Sequence, residues 1–234
     1  MHTQIRALLW GSLVLLMLPL ALWCTGLAWT PTWISGAAPW LYGVTESAGT
    51  YGAAVTSMLW SAVLLWRWPR SRRAALVWLV GVALMLALGQ AVKTVIKHQV
   101  EAPRPHVQWL SAQQGLGTDP YYRLQRSERQ HWLAQHNPAL PAWLLAHWQH
   151  ETDTAFPSGH SVFASSWALL AWVMLWPRRR YAALALITVW AVTAMGSRVV
   201  LGMHSAPDLA GATVLSALLV AAAVWWWQRL PARW

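Results

Sequence analysis

The amino-acid sequence predicts an all-α, polytopic membrane bundle of six transmembrane helices, and three observations predict it. Of the 234 residues, 57% are hydrophobic and only 10% are charged. Apolar runs at about 5–28, 44–66, 74–96, 160–176, 181–197 and 208–228 approach or exceed the roughly 20 residues that a helix needs to cross a bilayer. The cations are also sorted along the chain. Arg6, Arg67, Arg70, Arg72, Arg73, Arg178, Arg179, Arg180, Arg229 and Arg233 fall on one face of a six-span arrangement and equal the formal net charge of +10, while the other seven cations share the opposite face with all seven acids. Basic loops of this kind mark the cytoplasmic side. Both termini are therefore expected in the cytoplasm, and the excess charge calls for no nucleic-acid partner. No repeat or composition shift divides the chain, so one integral-membrane domain over 1–234 is expected.

In chain order, the first run follows Arg6 and exceeds the 7–15 residues of a signal-peptide core, so it is expected to be an uncleaved anchor. Cys24 is the single cysteine, which excludes an intrachain disulfide or a cysteine-based metal site. Trp29, Trp33 and Trp40 fit an outer aromatic belt. The second run carries nothing that suggests chemistry. The third ends with Lys93 and Lys97, one helical turn apart and hence on one face. Lys93 is read as snorkelling toward headgroups. Lys97 is followed by Glu101-Ala102-Pro103-Arg104-Pro105, where two prolines fix the backbone of an arginine suited to an anion.

Residues 106 to about 157 form the one sizeable insert between spans, on the face opposite the arginine-rich loops. Asp119-Pro120 is a helix start, and a polar helix is expected over Tyr121 to Gln135, stopped by Asn137-Pro138. After Pro141, the spacing of Leu140, Trp143, Leu144 and Trp148 predicts an amphipathic helix, either a lid packed on the bundle or a gate for lipid access. His131, His136, His147 and His150 show no ligand spacing and are read as surface residues.

The insert ends in Thr154-Ala155-Phe156-Pro157-Ser158-Gly159-His160. Pro157 disfavours helix at Phe156, Ser158 is a good N-cap and Gly159 lets a ligand approach the backbone, which together describe an anion-binding helix start. Six residues after Arg198 comes His204, and Ser205-Ala206-Pro207-Asp208 opens the last run. Asp208 either completes a capping box with Ser205 or pairs with His204 one turn before it.

In the six-span topology, the end of the third run, the start of the fourth and the turn between the last two lie at one membrane face. Lys97, Arg104 and Arg198 then surround the helix start at Ser158-Gly159 as a phosphate cradle. His204, steadied by Asp208, suits nucleophilic attack to give a phosphohistidine, and His160 suits proton donation to the leaving oxygen and later activation of water. A zinc site on His204, Asp208 and His160 is the competing reading. Three cations in the same place would repel a divalent ion, so no metal and no other cofactor is expected. A lipid transporter using the same cations is the alternative outside enzymes, and such a carrier places its binding groups near the midplane.

Lys97-x6-Arg104-Pro105, Pro157-Ser158-Gly159-His160 and Ser197-Arg198-x5-His204-x3-Asp208 together resemble the three motifs of the type 2 phosphatidic acid phosphatase superfamily. The likeness covers nearly the whole chain and is weakest over about 111–143. It implies a six-span bacterial inner-membrane enzyme, independent of metal, with its site on the periplasmic face. The implied activity is removal of terminal phosphate from phosphatidylglycerophosphate, undecaprenyl pyrophosphate and related lipids, with transfer to another lipid as the variant within enzymes. The resemblance makes Lys97, Arg104 and Arg198 phosphate ligands, His204 the nucleophile, Asp208 its partner and His160 the acid. Glu151 lies outside the motifs and either orients a cation or sits in solvent.

Overall fold

The computed structural model describes residues 2–229 apart from 27, 35, 37, 67–70 and 137–139. Arg67, Arg70, Arg233 and the helix stop at Asn137-Pro138 lie outside the described residues. Every regular element among the described residues is a helix, with no strand.

The bundle is built around one short helix. Helix α9, Gly159–Leu175, buries every residue from Ser161 to Leu175. It packs against α1 (His2–Thr25), α3 (Thr50–Leu65), α4 (Arg72–Val100), α10 (Tyr181–Val200) and α11 (Ala206–Arg229). The surrounding helices bury a single stripe each. In α1 the stripe is Ala7, Gly11, Leu15 and Pro19, at the four-residue spacing of one helix face. Leu9, Leu13, Met17 and Leu20 of the same helix are more than half exposed, as are Leu84, Leu88, Leu218 and Trp225 elsewhere. So much exposed apolar surface around a bundle fits hydrocarbon rather than water. Helices approach closely where residues are small: a Cβ on Gly11 would stand 2.6 Å from Trp172 Cγ. Between α9 and α11, Ser166 Oγ donates to Ser216 Oγ (3.2 Å) and Ser216 Oγ to the Val162 carbonyl (2.9 Å).

Helices α1, α4, α10 and α11 lie in segments long and apolar enough to cross a membrane. The expected second span is instead a bent pair, α2 (Ala38–Glu46) and α3, meeting at 70°. Its break at Ser47-Ala48-Gly49 falls in the polar Thr45–Thr50 stretch of the run read as one span, and is held by tertiary bonds. Trp190 Nε1 donates to Ser47 Oγ (2.9 Å) and Thr56 Oγ1 to the Ser47 carbonyl (2.7 Å). The remaining expected span is α9, whose 17 residues measure about 26 Å, less than the ~30 Å hydrocarbon thickness. Being enclosed by other helices, it need not match the lipid. In contrast α4, with 29 residues, runs about 44 Å, so its final turns extend beyond the predicted end of the span and carry Lys97.

The insert folds as a helical cap with its own core. It comprises α5 (Pro105–Gln113), α6 (Asp119–Arg123), α7 (Arg126–His136) and α8 (Ala142–His150). Val107, Leu110, Tyr121, Leu133, Leu144 and Trp148 pack together with Leu201 and Met203 of the turn between α10 and α11. Of the two expectations for the last insert helix, the packed lid is the one seen, since Trp148 is fully buried and donates to the Leu201 carbonyl (2.9 Å). The single polar helix expected over Tyr121 to Gln135 is split at Leu124-Gln125. There the Glu128 carboxylate reaches back to accept from the Gln125 N–H (2.7 Å), starting a second helix as half of a capping box does.

Candidate active site

The three motif stretches meet at one end of the bundle, under the cap, and each is placed by backbone bonds. Ser158 caps α9 by accepting from the Ser161 N–H (3.3 Å). The N–H groups of Gly159 and His160 follow as the first orphan donors of the helix, with no protein partner among the described residues. The Ser158 N–H donates to the Asp208 carbonyl (3.3 Å), joining the start of α9 to the start of α11. The His106 N–H donates to the Gly202 carbonyl (3.0 Å), which ties the Arg104-Pro105 segment to the turn before His204. Gly202 itself has φ +71°, the left-handed region that a tight turn of this kind reserves for glycine.

A cavity of about 1000 Å³ opens here, lined among others by Lys93, Lys97, Arg104, Glu151, Asp153, Gly159, His160 and His204. Lys93 therefore faces the site, rather than only snorkelling as expected; a Cβ on Gly159 would stand 3.2 Å from Lys93 Nζ. Arg198 is fully buried behind this lining.

Two carboxylates organise the cations. Glu151 Oε2 accepts from Arg198 Nη2 (2.6 Å) and Arg104 Nη1 (3.3 Å), and its Oε1 is 3.8 Å from His160 Nε2. Of the two readings left for Glu151, orientation of cations is the one realised. Asp153 Oδ2 accepts from Lys97 Nζ (2.9 Å), and its Oδ1 accepts from Arg104 Nη2. Burial alone would raise the Glu151 carboxyl, but the charges of Arg198, His160 and Arg104 outweigh it and hold it well below the usual range. Asp153 is brought down to about 2, because Arg104 and Lys97 overcome the effect of burial. Sequence reasoning missed Asp153. The signal was present in its alternation with Glu151, which places two carboxylates on one side of an extended segment, beside unpaired cations.

His147 corrects a second expectation. It is not a surface residue but is only 4% exposed, because α8 turns Leu144, His147 and Trp148 inward as one face. Its Nε2 lies 2.9 Å from Arg198 Nη1. A guanidinium can only donate, so His147 accepts there as a neutral ring with its proton on Nδ1, 3.8 Å from Glu46 Oε1. Burial first, and then the charge of Arg198, lower its pKa to about 3. His106, buried beneath Trp148, is likewise lowered to about 3, by burial and then by Arg104.

These shifts predict how stability depends on pH. Between the ordinary histidine value of 6.5 and about 3, the unfolded chain binds protons that the folded chain refuses. The stabilisation is complete above the ordinary value and is lost as pH falls toward the lower one. The Tm in detergent should drop by roughly 3 °C per histidine for each pH unit below that upper value. His147→Gln and His106→Gln should each flatten the slope; an unchanged slope in both would contradict the assignment.

His204 and Asp208 sit as the spacing predicts, one turn apart, with Nδ1 and Oδ2 at 3.6 Å. That is longer than a hydrogen bond, and His204 Nδ1 is buried without a hydrogen-bond partner among the described residues. Asp208 Oδ2 accepts from the Ser205 N–H (2.7 Å) and hydroxyl (3.0 Å), so the acidic half of the capping box is formed, while the Asp208 N–H donates to the Ser205 carbonyl (3.1 Å) rather than to its hydroxyl. Burial, then the charges of Arg104, Arg198 and Lys97, hold His204 well below its ordinary pKa and keep the ring neutral. Every residue proposed from the sequence is thus at or directly behind the same cavity. Among the described residues, no group of three or more His, Cys, Asp or Glu side chains is placed to hold a metal ion.

Comparison with known proteins bears on the family of the chain. Residues 78–232 match the model of the PAP2 superfamily. Over 226 residues the chain is 40% identical to phosphatidylglycerophosphatase B of Escherichia coli K12, covering 94% of this chain and 88% of that one. It is 32% identical over 221 residues to phosphatidylglycerophosphatase B of Haemophilus influenzae, covering 89% and 90%. The crystal structure of a transmembrane PAP2 type phosphatidylglycerolphosphate phosphatase from Bacillus subtilis superposes with a TM-score of 0.55 across 99% of both chains. At 16% identity that last likeness is one of fold alone. With its motifs gathered at one cavity and its relatives aligned over most of their length, the chain belongs to the PAP2 superfamily.

Proposed function

We propose that this multi-pass membrane protein is a lipid phosphatase acting through a phosphohistidine, without a metal. The observation that carries the reading is the convergence of Lys97, Arg104 and Arg198 with His160 and His204 around a single cavity at one end of the bundle. A phosphoryl group in transfer spreads its charge over oxygens, and fixed cations with the free N–H groups at the start of α9 meet that charge.

In the first step the neutral ring of His204 attacks phosphorus through Nε2, the nitrogen turned away from Asp208. An N–P bond forms and the P–O bond to the lipid breaks, while His160 gives its proton to the departing oxygen. In the second step His160 takes a proton from water, the resulting hydroxide attacks phosphorus, and the N–P bond breaks to release inorganic phosphate. Asp208 steadies the positive charge that develops on His204, and the 3.6 Å gap between them can close as that charge appears. Glu151 is the nearest acid to His160, its Oε1 standing 3.8 Å from His160 Nε2.

The relatives' names support phosphatidylglycerophosphate as a substrate, and undecaprenyl pyrophosphate extends the proposal to other terminal phosphates. The chain acts as one membrane domain over 1–234, in the bacterial inner membrane. The sorting of its cations supports cytoplasmic termini and a periplasmic site. Full-length protein in detergent with EDTA should release inorganic phosphate from a panel of phosphomonoester and pyrophosphate lipids. Liposomes in which lipid moves across the bilayer with no phosphate released would favour a transporter instead, and recovery of the label in a second lipid would favour a phosphotransferase.

A further inference from the structure

The proposed chemistry gives Asp153 no task, yet its position is specific. Its side chain is 57% exposed, while those of Lys97 and Arg104, the two cations it spans, are 8% and 1% exposed. Its two oxygens are divided between them, one to Lys97 Nζ and one to Arg104 Nη2. Two oxygens of one phosphate would have to occupy the same arm of the cradle. Nor does the loop depend on the carboxylate for its place. Arg104 Nε donates to the Asp153 carbonyl (2.7 Å), Lys97 Nζ donates to the Thr154 carbonyl, and the Ala155 N–H donates to the Ala102 carbonyl (2.7 Å). With the main chain pinned, the side chain can rotate into the cavity while the backbone stays. Glu151 is held differently: its side chain is 19% exposed and is locked between Arg198 and Arg104.

We propose that Asp153 is a resident counter-anion, occupying the Lys97–Arg104 arm of the cradle until a terminal phosphate displaces it. The inference rests on the lipid-phosphatase reading and deepens it by naming what the cations hold between turnovers. A cationic cavity at a membrane surface is surrounded by phosphodiester headgroups, each carrying one negative charge. A diester entering this arm exchanges one negative charge for another and gains little. A phosphomonoester or pyrophosphate brings a second charge and more oxygens, enough to displace the carboxylate. Asp153 thus sets an affinity threshold that the diester background fails to pass, and it helps expel the product phosphate by returning to its place.

The test is direct binding, because binding does not depend on turnover. Isothermal titration calorimetry on the full chain in detergent, near pH 6.5, would use inorganic phosphate and the soluble diester dihexanoyl phosphatidylglycerol as probes. Asp153→Asn should bind both probes about tenfold more tightly than wild type, because removing one competing charge near a pair of cations is worth at least that factor. Asp153→Ser, which also removes the charge, should reproduce the shift and guards against a folding artefact in the first variant. Unchanged or weaker binding of both probes, or tightening of only one, would overturn the proposal, since a residue that merely oriented the cations would lower affinity when removed. The two readings fail separately. Phosphate release with no change in anion affinity leaves the phosphatase and removes the counter-anion; tighter anion binding with no release from any lipid does the reverse.

Discussion

Replacing His204 by alanine is expected to lower phosphate release by about 10⁴-fold or more, with little loss of fold. The size follows from the covalent step. Lys97, Arg104, Arg198 and the α9 N-terminus can bind and polarise a phosphate, but none of them can take over a bond that only the imidazole forms. The side chain is buried and its Nδ1 has no hydrogen-bond partner, so its removal breaks no bond through that nitrogen. Asp208 keeps its bonds from Ser205, and the start of α11 should remain intact. His160→Ala should differ in kind. It removes the proton donor of the first step and the base of the second, so both formation and breakdown of the intermediate should slow. Single-turnover kinetics on the two variants separates these outcomes, and a His204→Ala enzyme with wild-type turnover would remove the nucleophile assignment.

Arg198→Ala should damage stability and activity together. Arg198 is completely buried and holds the Glu151 carboxylate at 2.6 Å and the His147 ring at 2.9 Å. Without it, Glu151 keeps the longer hydrogen bond from Arg104 at 3.3 Å and the 3.8 Å approach to His160. Removing one partner of a buried pair and stranding the other costs about 3–5 kcal/mol, mostly through the charge left behind. Arg198→Ala paired with Glu151→Gln should therefore recover much of the lost Tm while leaving phosphate release about 10³-fold down, since the cradle still lacks a cation. Recovery of activity along with stability would mean that Arg198 acts only as a structural partner of Glu151.

Several features were legible in the sequence because they depend on runs and spacing. The apolar stretches located α1, α4, α10 and α11, since hydrocarbon demands long unbroken segments. The motif residues were legible because the topology that follows from those segments forces three span ends to one face. What escaped depended on tertiary contacts. The break before α3 lies within the run read as one span, and the bonds from Trp190 and Thr56 to Ser47 hold it where Glu46 and Gly49 line the cavity. His147 was read as a surface residue because four histidines without ligand spacing suggested none in particular. Its place beside Leu144 and Trp148 on one helical face was the overlooked sign. Asp153 was hidden by charge balance itself. Counting acids against cations showed that the charges on that face cancel, but not that one carboxylate would sit across Lys97 and Arg104.

Trapping the covalent intermediate tests the proposed mechanism most directly. Purified full-length protein would be mixed with a lipid labelled in its terminal phosphate, quenched in alkali within milliseconds, digested and mapped, for wild type and His160→Ala. The expected result is an alkali-stable, acid-labile label on the peptide containing His204, more persistent in His160→Ala because water is no longer activated to break the N–P bond. Rapid release of phosphate with no label on His204 in either protein would contradict it.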